Sequence, residues 1–206
     1  MKKKLISMAF ALALIVPLEA ETPSFREKAT AFCKKAVAIV KDCSLAYVIA
    51  MVSTIAHESG HNMAQYACHG RSYGITIGGL SSEDPAYFTI PYPTVRICSF
   101  NPFIGSCPVE RDYSTKNGCL SSMVIAIAGP LLGIASSFIA LKLLNKYAPK
   151  KYHFSRGMCY FSALENGLQM RPDDRGNDGQ LFYDSYKAYK EHQELPEQQM
   201  LSFEKV

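Results

Sequence analysis

Two histidines and a glutamate share one short segment, and their spacing suits metal chemistry. His57, Glu58 and His61 form the pattern H-E-x-x-H. On a helix, residues four apart lie on the same face, so both imidazoles can bind one Zn²⁺. Zinc lowers the pKa of its bound water to about 7, and Glu58 lies close enough to accept the proton. The pattern therefore predicts peptide-bond hydrolysis, with His57 and His61 as zinc ligands and Glu58 as the general base.

A catalytic zinc site usually has three protein ligands and one open position for water. The third donor must therefore lie outside the helix that carries the two histidines. Several imidazoles and carboxylates elsewhere in the chain could supply it, and the residues alone leave the choice open. These side chains are His69, His153, Glu165, Asp173, Asp174, Asp178 and His192.

The segment that contains the motif is long and apolar. Within residues 43–67, only the two histidines and the glutamate could carry charge, and residues 117–141 form a second uncharged stretch. Each is long enough to cross a bilayer, which takes about 20 residues. Ionisable groups at membrane depth are costly and usually face a cavity or a partner. The sequence therefore predicts an integral membrane protein with a buried site. A third block, between Arg156 and Arg171, is shorter and predicts a partial or re-entrant helix.

Both ends of the chain are predicted to lie outside this core. Residues 1–20 carry three lysines before a short apolar run, which is typical of a signal peptide or a membrane anchor. Residues 21–42 predict an amphipathic helix, with Thr22 as its cap and Pro23 in its first turn. Residues 43–180 are the predicted membrane-embedded zinc protease core. Residues 181–206 are a predicted soluble tail with a helix that ends near Pro196.

Residues 68–116 are polar on average but rich in β-branched and aromatic residues, and they contain Gly and Pro. This composition predicts short strands or hairpins. The predicted fold class is therefore mainly α, with polytopic membrane helices. It has two clear spans plus a partial third, and a short β-hairpin region between the first two spans.

Charge and cysteine content limit the partners and the compartment. The net charge of +4 comes without a basic cluster interleaved with aromatics, so no nucleic-acid partner is expected. The expected partners are the lipid bilayer and a membrane protein substrate. Four of the seven cysteines lie in or beside the polar segment, and two disulfides are possible there in an oxidising compartment. They are Cys68, Cys98, Cys107 and Cys119.

Two segments resemble motifs of the site-2 protease family of intramembrane zinc metalloproteases. The residues around His57 resemble that family's H-E-x-G-H helix, with Gly60 at the family's glycine. Residues 127–137 resemble its A-G-P segment in the following span, where Gly129 belongs to the motif. Independently of any family, Gly129, Gly133 and Ser137 form a row of small residues that lets another helix approach closely.

A third segment, residues 165–180, is similar to the family's motif of an Asn, a Pro and an Asp-Gly pair. The resemblance implies that Asp178 is the third zinc ligand and that Asn166 helps to hold the substrate strand. Asp173 and Asp174, in the same segment, are alternatives to Asp178. The family's positions are filled here by Asn166, Pro172, Asp178 and Gly179.

The resemblance implies an intramembrane zinc metalloprotease that cleaves in or near transmembrane segments of its substrates. Such an enzyme must unwind a helical substrate, and an exposed edge strand beside the zinc could pair with the extended chain. Residues 74–79, GITIGG, are the predicted edge strand. Two alternatives remain: a secreted or peripheral soluble zinc metalloprotease, and a non-catalytic membrane scaffold of the same fold.

Overall fold

The computed structural model describes residues 23–79, 85–91, 94–148, 150–173 and 177–203. The predicted signal or anchor segment, residues 1–20, and Thr22 lie outside the described residues. The chain has long helices and one small sheet, so the prediction of a mainly helical chain with strands between the first two long helices is confirmed. The elements are α1 (Pro23–His69), β1 (Ile75–Ile77), β2 (Phe88–Pro91), β3 (Thr94–Ile97), β4 (Gly105–Ser106), α2 (Lys116–Tyr147), α3 (His153–Gln169) and α4 (Asp178–Phe203).

Helix α1 begins at Pro23, as predicted, and runs for 47 residues. It continues past residue 42, where the sequence analysis ended a separate amphipathic helix, because residues 24–59 contain neither Gly nor Pro. The chain divides into two compact units, Met1–Lys41 and Asp42–Val206. The candidate site belongs entirely to the second unit.

Within the described residues, two helices are long and apolar enough to cross a membrane. They are Arg26–His69, with a mean hydropathy of 1.7, and Lys116–Tyr147, with a mean hydropathy of 2.2. Only 28% and 33% of their most apolar windows are buried inside the protein. Most of the apolar surface of both helices therefore faces outward.

The four strands form one sheet in the order β2-β3-β1-β4. Strands β2 and β3 pair antiparallel as the predicted hairpin, but β1 pairs parallel with β3 and antiparallel with β4. The prediction that GITIGG forms an exposed edge strand is wrong, because β1 lies between two neighbours. All three of its residues are buried, as suits two Ile residues and a Thr inside a sheet. Strand β4 is an edge of this sheet instead.

Small residues allow α1 and α2 to pack closely. A Cβ atom added at Gly60 would collide with the backbone of Ala128 and Gly129, and one added at Gly129 would collide with the ring of His61. Gly129, Gly133 and Ser137 are all buried on α2. The predicted row of small residues therefore forms a helix-packing face, and that face lies against the histidine motif.

Asp42 on α1 caps the beginning of α3. Its Oδ2 accepts a hydrogen bond from the Phe154 backbone N–H at 2.9 Å, and its Oδ1 accepts from the Ser155 N–H at 2.9 Å. The Ser155 hydroxyl also donates to Oδ1, at 2.6 Å. The local N-cap residue, Tyr152, has a left-handed backbone (φ 60°) and makes no capping side-chain bond. A buried carboxylate from another helix therefore satisfies the free N–H groups at this helix end.

We expect Asp42→Ala to lower the free energy of unfolding by about 2–3 kcal/mol, because buried donors at the α3 terminus would lose a charged acceptor. Thermal unfolding of the purified protein, followed by circular dichroism, measures the loss. Asp42→Asn keeps one carbonyl acceptor and should lose less. An Asp42→Ala variant that melts like the parent would show that this cap adds no stability.

Helix α4 begins at Asp178, where Asn177 Oδ1 accepts a hydrogen bond from the Gln180 N–H at 2.9 Å in the manner of an N-cap. It runs on to Phe203, so the predicted end near Pro196 is wrong. A proline removes one backbone bond from a helix but does not by itself end it. The partial helix predicted between Arg156 and Arg171 is α3.

Candidate metal centre

Three side chains converge where α1 meets the first residue of α4. His57 Nε2 lies 3.1 Å from Asp178 Oδ2, and His61 Nε2 lies 3.2 Å from Asp178 Oδ1. The two Nε2 atoms are 3.1 Å apart. Both imidazoles are buried. The three residues therefore form a compact group whose ligand atoms face one another, and this group could hold a metal ion.

Hydrogen bonds on the far sides of the rings orient both histidines. His61 Nδ1 lies 2.8 Å from the Ile125 backbone carbonyl, and His57 Nδ1 lies 2.5 Å from the amide oxygen of Asn166. A carbonyl oxygen can only accept, so each Nδ1 carries the hydrogen and each Nε2 presents a lone pair. Two lone pairs and a carboxylate at such short range repel one another unless a cation lies between them.

The spacing of the two imidazole nitrogens is close to that expected around a tetrahedral cation. With Zn–N distances of about 2.0–2.1 Å, neighbouring ligands are separated by roughly 3.3–3.4 Å. The two Nε2 atoms are 3.1 Å apart, and each lies near a different oxygen of Asp178, His57 near Oδ2 and His61 near Oδ1. Asp178 Oδ2 is also a buried acceptor whose hydrogen bonding is unsatisfied. Two imidazoles and one carboxylate are a known donor set for catalytic zinc.

The environment of Asp178 keeps it ionised. Burial raises the pKa of its carboxyl group, but its interaction with His57 and His61 outweighs burial and holds the pKa at about 2. The adjacent Gly179 explains how α4 can begin here: a Cβ atom at this position would collide with the backbone of Met170 and Arg171. The Asp-Gly pair therefore places an ionised ligand in a tightly packed turn.

The other predicted third ligands lie elsewhere or outside the described residues. His192 Nε2 is hydrogen-bonded to the Tyr113 carbonyl, and Asp173 lines an outer cleft beside α3. Glu165 lines a cavity next to His57 but does not belong to the metal-binding group. His69 and His153 do not belong to this group either. Asp174 lies outside the described residues. Within the described ranges, Asp178 completes the group.

Comparison with known proteins adds no relative. No protein-family profile, curated protein or solved structure matches this chain. The resemblance to the site-2 protease family therefore stays a prediction from three short motifs.

Glu58 lies in a cavity beside the metal-binding group. Its side chain contributes to the wall of a cavity of about 170 Å³, together with His57 and Asn166. The residue is only 7% exposed, and no hydrogen bond to its carboxylate is found among the described residues. A buried carboxylate that faces a cavity without a fixed partner is placed to bind and deprotonate water.

The segment that covers Glu58, around Gly105, was not predicted from the sequence. A Cβ atom at Gly105, in edge strand β4, would collide with Glu58 Oε1 and with Thr54. The segment before β4 is also fixed to α1. Thr54 donates a hydrogen bond to the Pro102 carbonyl at 2.5 Å, and the Tyr47 hydroxyl donates one to the Phe100 carbonyl at 2.5 Å. A single glycine in this segment carried no signal of the contact.

The cysteines near this region do not form the disulfides that the sequence allowed. Among the described residues, Cys68, Cys107 and Cys119 carry free thiols. Cys107 lies close enough to the site for the charges there to shift its pKa. Burial, together with the negative charges of Glu58 and Asp178, raises the pKa of Cys107 to about 12. Its thiol is therefore protonated at neutral pH, and it does not belong to the metal-binding group.

Proposed function

We propose that this chain is an intramembrane zinc metalloprotease that hydrolyses peptide bonds in or near transmembrane segments of its substrates. His57, His61 and Asp178 hold the zinc, and Glu58 is the general base. One observation carries the proposal: three ligand atoms converge beside a cavity that contains an unpaired carboxylate. A structural zinc site is normally closed by four protein ligands and needs no base, so this arrangement favours an enzyme over a non-catalytic scaffold.

The outward surface of the long helices supports a location in the membrane. On α2, Leu131, Phe138 and Ile139 are more than half exposed, whereas Gly133 and Ser137 are buried. Helices of soluble proteins show the reverse arrangement, with large apolar residues inside. Lipid favours small residues between helices and large apolar residues outside. This pattern supports an integral membrane protease over a secreted or peripheral soluble one.

The proposed reaction assigns distinct tasks to the residues of the cavity. When bound, zinc supplies a Lewis acid that polarises the peptide carbonyl and makes water a stronger acid. Glu58 accepts a proton from the attacking water and delivers it to the nitrogen of the departing amine. A substrate segment that pairs with the edge of β4 would run directly beside Glu58, because Gly105 contacts that carboxylate.

We expect the full chain to stay in the membrane pellet after alkaline carbonate extraction, because two helices are long and apolar enough to span. A chain that begins at residue 21 should also stay in the pellet, since both of these helices remain. Western blotting of pellet and supernatant measures the distribution. Release of the full chain into the supernatant would instead support the soluble metalloprotease.

The catalytic part of the proposal is tested on protein purified in detergent. Elemental analysis should find about one zinc per chain. Model substrates with a single transmembrane segment should be cleaved, and 1,10-phenanthroline should stop the cleavage. Stoichiometric zinc without cleavage of any such substrate would favour the scaffold, and absence of zinc would refute the metal centre.

A further inference from the structure

Both hydrogens of the Asn166 amide are donated inside the protein. Its Nδ2 donates to the Ser162 backbone carbonyl at 2.6 Å and to the Ser53 hydroxyl at 3.3 Å. Because the Ser162 carbonyl can only accept, the Nδ2 side of the amide must face it, and Oδ1 must face His57. His57 Nδ1 then donates to Oδ1 at 2.5 Å. Both amide hydrogens of Asn166 are therefore already donated.

Neighbouring residues of α2 hold this arrangement in place. A Cβ atom at Gly133 would collide with the Asn166 amide, so the helix can approach it only with glycine at that position. The Ser53 hydroxyl, which accepts from Asn166, lies 3.2 Å from the Ser137 hydroxyl. Ser137 in turn donates to the Gly133 carbonyl at 3.0 Å. A buried polar network thus joins three helices behind one zinc ligand.

We infer that Asn166 is a positioning residue that fixes the tautomer and ring orientation of His57, and that it does not hold the substrate. A substrate carbonyl would need an amide hydrogen from Asn166, and both hydrogens are occupied. Asn166 lies in the wall of the cavity beside Glu58, but only 5% of the residue is exposed there, which leaves little surface for a substrate to contact. This inference rests on the proposed function only through the metal centre. It replaces the substrate-binding role that the sequence resemblance implied.

Removing the hydrogen-bond partner of a metal-binding histidine typically weakens metal affinity 10–100-fold. We therefore expect Asn166→Leu to weaken zinc binding by about 10–100-fold in the full chain, in the absence of any substrate. Asn166→Asp keeps an acceptor for His57 Nδ1 and should lose less affinity, although it also loses the bond to Ser162. Ser53→Ala removes one support of the amide and should have a smaller effect of the same sign.

The experiment measures the zinc dissociation constant by chelator competition and the visible absorption spectrum of the Co²⁺-loaded protein. The spectrum should change in both Asn166 variants, because the ligand field of His57 changes. A loss of packing elsewhere in the protein would not change the spectrum. Ser136→Ala is the matched control: its hydroxyl donates to the same Gly133 carbonyl at 2.8 Å, but among the described residues it makes no hydrogen bond to Asn166, Ser53 or Ser137.

Each outcome of this experiment supports or overturns the inference about Asn166. Weaker zinc binding in Asn166→Leu, partial recovery in Asn166→Asp and parental affinity in Ser136→Ala support the inference. Parental zinc affinity and Co²⁺ spectrum in Asn166→Leu overturn it and leave the metal centre intact. If Asn166→Leu does not fold, an unchanged Co²⁺ spectrum and zinc affinity in Asn166→Asp and Ser53→Ala overturn it equally. A parent chain that binds no zinc refutes the metal centre and this inference together.

Discussion

Glu58→Gln should retain its zinc and lose peptide hydrolysis by about 10²–10⁴-fold, the usual contribution of a general base. Glutamine has the size of glutamate but cannot accept a proton from water. The residue lies outside the metal-binding group, so zinc should remain bound to the other three side chains. Zinc per chain and the cleavage rate of a single-span substrate, measured on the same preparation, separate the two effects.

The matched control is Glu110→Gln, which makes the same chemical change at an exposed carboxylate outside the cavity. It should leave both zinc content and cleavage unchanged. Full hydrolysis by Glu58→Gln would contradict the general-base role. Loss of zinc from Glu58→Gln would instead show that this carboxylate supports the metal.

Asp178→Ala should reduce zinc affinity by more than 100-fold, beyond the range expected when a residue only orients a ligand. Asp178 supplies the anionic donor of the group, and without it two neutral imidazoles remain. Chelator competition on the purified chain measures the change. Asp173→Ala and Asp174→Ala are controls from the same segment. Asp173 lines the outer cleft, and Asp174 lies outside the described residues.

The outcome of this series identifies the third ligand. If Asp178→Ala binds zinc like the parent while a control variant does not, the ligand assignment is wrong but a metal centre remains. If all three variants bind zinc like the parent, the ligand is one of the other predicted side chains. In that case the resemblance to the site-2 protease family loses its third motif.

The features that could be predicted from the sequence depend on local patterns. The histidine motif needs only one helical turn to bring His57 and His61 together, and apolar runs indicate where the long helices lie. Asp178 is different, because no spacing rule connects it with α1. The resemblance to a family motif favours it over the other carboxylates, and its position beside the histidines results from how α4 packs.

The features that could not be predicted depend on contacts between distant segments. Strand order follows from pairing across the whole sheet, so nothing within GITIGG distinguishes an interior strand from an edge. The contact of Gly105 with Glu58 and the capping of α3 by Asp42 likewise join residues that are far apart in sequence. For Asn166, the contact of its amide oxygen with His57 likewise joins two helices, and no pattern in the sequence indicates it.

The three side chains that could hold a metal ion come from α1 and α4, which lie at opposite ends of the core sequence. A cation bound between them would join these helices, and an ion that binds only the folded chain stabilises it by mass action. At a free zinc concentration 100 times the dissociation constant, this stabilisation is about 2.7 kcal/mol. Under the proposed function, zinc supply in the compartment would therefore control the lifetime of the folded protein as well as its catalytic activity, and zinc starvation would expose the chain to quality-control proteases.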